Sequence, residues 1–106
     1  MLDKVKRRLS LDLHDPSYDD LIIDLIEQNR DFVMLYLGVS ELEDSRVDSI
    51  IARMTAEAFN MLGEEGKKTA IYSDYRMDMQ TELISPYRTI LKAVKDELSR
   101  SIKFIY

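Results

Sequence analysis

The chain has 106 residues, with 20 Asp and Glu against 15 Lys and Arg, a formal charge of −5. At 45% hydrophobic and 33% charged, it is too apolar for a disordered chain, too charged for a membrane span, and sized for one domain with one modest core. With no Cys and one His, disulfides, thiolate chemistry and any site built on two histidines are excluded.

Few Gly and Pro, and many Leu, Met, Glu, Lys and Arg, predict a mainly helical fold. The first segment, Leu2 to Leu9, repeats Leu2, Val5 and Leu9 at helical spacing among Lys4, Lys6, Arg7 and Arg8. Met1 to Arg8 lacks the apolar block of a signal peptide. So short a helix needs tertiary contacts to persist. His14, Asp15 and Pro16 break it.

A second helix is expected from about Pro16 to Leu37, with Asp15 as N-cap and Pro16 at N1. Ser17 with Asp20 offers a second capping register. Leu21, Leu25, Phe32 and Tyr36 form one row, and Ile22, Ile26, Val33 and Leu37 the next, which together make an apolar stripe. Gly38 suits a left-handed stop. A third helix is expected from Asp44 or Ser45, with Val47, Ile50, Ile51, Met54, Ala58, Met61 and Leu62 on one face and Gly63 as its end. The short link at Val39 to Glu43 predicts antiparallel packing of the two.

The stretch Glu64 to Gln80 reads differently. After a polar Glu64-Glu65-Gly66-Lys67-Lys68, the apolar Ile71, Tyr75, Met77 and Met79 alternate with Tyr72, Asp74, Arg76 and Asp78. Period two predicts an extended strand with one apolar face. Its backbone groups need partners, supplied by a hairpin within the chain or by another subunit. Ser85 then caps a last helix, Pro86 to about Leu98, with the stripe Tyr87, Ile90, Leu91, Val94 and Leu98; Leu83 and Ile84 add a preceding turn. The tail, Ser99 to Tyr106, carries Ile102, Phe104, Ile105 and Tyr106, bulky groups for either the core or a partner. The expected architecture is a bundle of about four helices, one domain over residues 1–98, with a long extended arm at about 64–80 and a tail at 99–106.

Charge is unevenly placed. Ser10 to Ile50 holds eleven acids against Arg30 and Arg46, a net −9, while the segments before Leu9 and after Ser85 are each +3. Such faces are either simply solvated or form complementary patches that steer subunits head to tail. Asp19, Asp20 and Asp24 are read as the acidic start of a helix rather than a metal site, since no ion-binding loop spacing accompanies them. His14 is read as exposed, and Ser10, Ser17 and Ser85 as capping residues. No catalytic constellation is present, so an enzyme is not expected, nor is a cofactor.

Asn60-Met61-Leu62-Gly63-Glu64-Glu65-Gly66, the alternating Ile71-Tyr72-Ser73-Asp74-Tyr75 and the closing Pro86-Tyr87-Arg88 carry a family likeness. In this order of elements the chain resembles the small head–tail connector proteins, also called adaptor or head-completion proteins, of long-tailed bacteriophages and prophages. The likeness covers Leu2 to Leu98. It implies a structural virion protein that joins a ring of about twelve copies beneath the portal. Such a ring extends the DNA channel and presents a docking surface to the tail or next neck protein. Its partners would be the portal protein, a tail or neck completion protein, further copies of itself, and genomic DNA that slides past an acidic lumen without specific binding. Its place would be the virion neck, and the host bacterial cytoplasm during assembly, with no membrane. In this reading Ile71, Tyr72, Tyr75 and Met77 of the arm, with Phe104 and Tyr106 of the tail, face a subunit or the portal. Gly63 and Gly66 shape the turn into the arm. The competing reading is a small helical nucleic-acid-binding or regulatory module, whose best recognition face is Arg88, Lys92 and Lys95.

Overall fold

The computed structural model describes residues 1–64 and 77–105, without the side chains of 62–64, 77–78 and 101–105. In chain order these form α1 (Leu2–Arg8), α2 (Asp19–Leu37), α3 (Ser45–Glu64), α4 (Met77–Ile84), a 3₁₀ turn (Ser85–Tyr87) and α5 (Arg88–Ile105). The fold is mainly α, as the composition predicts, and no strand occurs among the described residues.

The helix ends follow local chemistry. α1 closes through Leu11 N–H donating to Lys6 O at 2.9 Å and Ser10 N–H to Arg7 O at 3.1 Å. This Schellman pattern places Ser10 at φ 58, a left-handed position that lacks its usual Gly. α2 starts at Asp19, later than the Pro16 expected. The Asp15 carboxylate accepts the Ser17 N–H at 3.0 Å and the Ser17 hydroxyl, so it closes a local turn instead of capping the helix. Gly38 ends α2 at φ 74, as expected. Asp44 caps α3, its Oδ1 accepting the Arg46 N–H at 2.8 Å.

Four further expectations are corrected. α3 runs through Gly63 to Glu64, so Gly63 is its penultimate residue rather than its stop. Met77 to Gln80, expected in the extended arm, form the first turn of α4. Met79, Gln80, Leu83, Ile84 and Tyr87 recur at helical spacing, and Gln80, Leu83, Ile84 and Tyr87 are buried. That stripe outweighs a brief alternation of period two. Ser85 does not cap α5: the 3₁₀ turn has Ile84 at its N-cap with no side-chain hydrogen bond, and Pro86 sits inside the turn. α5 then continues without a break past Leu98 to Ile105.

α2 and α3 pack antiparallel. Tyr18 at the start of α2 meets Phe59 late in α3, edge to face at 5.4 Å, while Arg30 reaches Asp48 early in α3 at 3.6 Å. The core joins Leu21, Ile22, Leu25, Val33 and Leu37 of α2 to Val47, Ile51, Met54 and Ala58 of α3. α5 adds Leu91 and Val94, and α1 adds Val5. Each of these side chains larger than Ala contributes about 1.5–3 kcal/mol by leaving water. The stripes are mostly as expected, but Tyr36, Met61 and Ile90 are exposed.

Candidate functional site

Among the expected interface residues, Gly66, Ile71, Tyr72, Tyr75 and Tyr106 lie outside the described residues. The described backbone puts Gly63 near the end of α3, Met77 at the start of α4 and Phe104 in the last turn of α5. The Asn60 to Gly66 motif is helical as far as Glu64. The described residues instead display four polar constellations, three that hold the chain together and one that is open.

The first centres on Lys6, which is 1% exposed although α1 is the most basic segment of the chain. Its Nζ donates to Asp19 Oδ1 at 2.7 Å, to Asp15 O at 2.7 Å and to Leu13 O at 3.2 Å. All three ammonium protons are thereby satisfied. The loop from Leu11 to Tyr18 is wrapped over this ammonium, and α1 is pinned to the start of α2. Asp19, read from sequence as part of an acidic helix start, is the anchor. His14 lies exposed in that loop, as expected.

The second is a buried amide and hydroxyl chain. Asn29 Nδ2 donates to Thr55 Oγ1 at 3.0 Å. Gln80 Nε2 donates to Gln28 O at 3.0 Å and lies 3.3 Å from Asn29 Oδ1. Asn29 and Thr55 are fully buried and Gln80 nearly so. The chain ties α2, α3 and α4 together. A signal existed in the sequence: Asn29 stands four residues from Leu25 and Val33, and Thr55 four from Ile51, so each interrupts an apolar stripe at a core position.

At the surface, Arg46 clamps α3 to α5. It makes a two-point contact with Glu97 at 2.7 and 3.1 Å and another with Asp44 at 2.8 and 3.2 Å. Arg46 hydrogen bonds hold the Glu97 and Asp44 carboxyls below the ordinary carboxylate range. Glu97 first, then Asp44, raise the guanidinium in return. Tyr87 lies nearby, its hydroxyl 3.4 Å from Glu57 Oε1, and burial, then the Glu57 charge, push its phenol up.

The fourth constellation is a groove of about 440 Å³ between the end of α2 and the start of α5. Tyr36, Arg88, Thr89, Lys92 and Lys95 line it. Arg88, Lys92 and Lys95 are exposed and take no ion pair among the described residues. Their spacing of four and three residues sets them in one row along α5. The groove can hold an anionic surface, with the Tyr36 ring as a flat apolar wall. Among the described residues no cluster of three or more His, Asp or Glu could hold a metal ion, and no helix is long and apolar enough to cross a membrane. Comparison with protein-family models, curated proteins and solved structures found no match.

Proposed function

We propose that this chain is a structural head–tail connector protein of a long-tailed phage or prophage. It would sit as an adaptor ring between the portal and the tail or next neck protein and extend the DNA channel. The observation that carries the reading is the sequence likeness over Leu2 to Leu98, most specific at Asn60 to Gly66 and the alternating Ile71-Tyr72-Ser73-Asp74-Tyr75 that follows. The helical fold, with a segment interposed between α3 and α4, is compatible with it. Opposed basic and acidic surfaces suit heterologous contacts that close a ring. The test is the native mass of the chain alone and with the portal protein encoded beside it. A complex with several copies on one portal ring is expected. Failure to bind that portal would overturn the reading, whereas a monomer in isolation would not, because such rings can form on their template.

A second reading is favoured by one observation, the groove lined by Arg88, Lys92 and Lys95. It makes the chain a nucleic-acid-binding or regulatory module that grips phosphate through α5. Submicromolar DNA binding with a steep salt dependence would support it. The net charge of −5 argues the other way.

A further inference from the structure

We propose that the groove between α5 and the end of α2 is the docking site for a second copy of this chain, which presents the acidic outer row of its own α2. The inference adds to the connector reading the faces that copies share, and it stands on charge placement rather than on that reading.

The occupant is identified by matched spacing. Arg88, Lys92 and Lys95 follow one another at four and three residues, about 10 Å along α5. Asp20, Asp24, Glu27 and Asp31 follow one another at four, three and four residues along α2. Three successive acids of that row match the three cations in spacing and are opposite in charge. Asp20, Glu27 and Asp31 are exposed, and none of the four takes an ion pair among the described residues.

The two rows are kept apart within one copy. Tyr36, the α2 residue that walls the groove, lies about 150° around the helix from the centre of the acidic row. The row points away from the buried stripe of Leu25, Asn29 and Val33, into solvent. Its own groove is therefore on the wrong side of α2, and only another copy can bring acids and cations together. Two different faces then meet, which makes the contact heterologous: it propagates, as a ring if the rotation closes. Leu35, 69% exposed beside the last acid, supplies an apolar rim to the acidic face, and Tyr36 supplies one to the groove. The contact is electrostatically steered, so salt weakens it.

The test is sedimentation velocity of the full chain over a wide concentration range, at low salt and in about 0.5 M salt. Two charge-reversed chains accompany it, one with Lys92→Glu and Lys95→Glu, the other with Glu27→Lys and Asp31→Lys, each checked for helical circular dichroism. The parent chain should associate at low salt and weaken at least tenfold at high salt. Each variant alone should lose association at least tenfold, and an equimolar mixture of the two should regain it, because each supplies the row the other now needs. A parent chain that stays monomeric throughout overturns the inference and leaves portal binding to decide the connector reading. Variants that associate like the parent, or a mixture that stays monomeric, also overturn it. So does a parent chain that does not self-associate but binds an oligonucleotide through Lys92 and Lys95, an outcome that makes the groove a phosphate site.

Discussion

Lys6 and the row Arg88, Lys92 and Lys95 are cations on the two basic ends of the chain, yet their surroundings are opposite. Lys6 is buried, and three oxygens of its own chain surround its ammonium. The α5 row is exposed and unpaired among the described residues. Burying an ammonium costs several kcal/mol unless every proton is matched, so the Lys6 site commits a loop and two helices to holding it. Leaving three like charges side by side in water costs little and holds nothing together within the copy. The first cation is part of how the chain folds, and the second group is left for whatever docks there.

The contrast is sharpest at Lys6. Lys6→Met keeps the length of the side chain and removes the charge, leaving the carboxylate of Asp19 and the carbonyls of Leu13 and Asp15 facing a thioether. The expected loss is about 3 kcal/mol, read as a shift in the chemical unfolding midpoint. Next comes Asn29→Ala, which takes the buried amide from Thr55, removes one of the two acceptors of Gln80 and opens a small void. About 2 kcal/mol is expected, with the α4 amides losing hydrogen-exchange protection before those of α2 and α3. An unchanged unfolding midpoint in either variant would remove these networks from the account of the fold.

A third expectation concerns acid. The folded-state pKa values of Asp44 and Glu97 lie below their unfolded ones because both carboxylates accept hydrogen bonds from Arg46. The stability they contribute is therefore present above the unfolded values and is lost as pH falls through the folded ones, from about pH 5 downward. Glu97→Gln should flatten part of that acid limb while leaving stability near neutral pH close to the parent, since the clamp is exposed to solvent. A limb of unchanged steepness would place the acid sensitivity elsewhere. The smallest effect is a gain. Ser10→Gly relieves a left-handed backbone position at the end of α1 and should raise stability by up to about 1 kcal/mol.

Much of the helical layout was legible in the residues, for reasons that differ from element to element. α2 and α3 show long apolar stripes bounded by Gly38 and Asp44, so periodicity and caps agree. The start of α4 is hidden in the sequence because Met77 and Met79 extend an alternation begun at Ile71, while the helical pattern shows only when Gln80, Leu83, Ile84 and Tyr87 are taken with Met79. α5 outruns its expected end because Ser99 and Arg100 carry no stop signal and the helix period continues to Ile102. The Lys6 site was illegible: its partners lie in the loop that follows α1, and nothing local in Leu-Asp-Lys-Val-Lys-Arg-Arg separates Lys6 from Lys4. The basic row was visible as charge on the last helix, but its neighbour Tyr36 and its separation from the acidic row of α2 needed the packing of α5 beside α2. The expected arm residues Ile71, Tyr72 and Tyr75, with Gly66, lie outside the described residues. Gly66→Val is the variant that addresses them: in the connector reading the monomer folds as before while binding to the portal is impaired.

The division between cations that hold the fold and cations left for a partner is tested most directly on one chain carrying Lys92→Glu and Lys95→Glu, with stability and association measured on the same sample. The unfolding free energy should stay within about 1 kcal/mol of the parent while self-association falls at least tenfold. A chain that loses stability to the degree expected of Lys6→Met, yet associates as the parent does, would contradict the account.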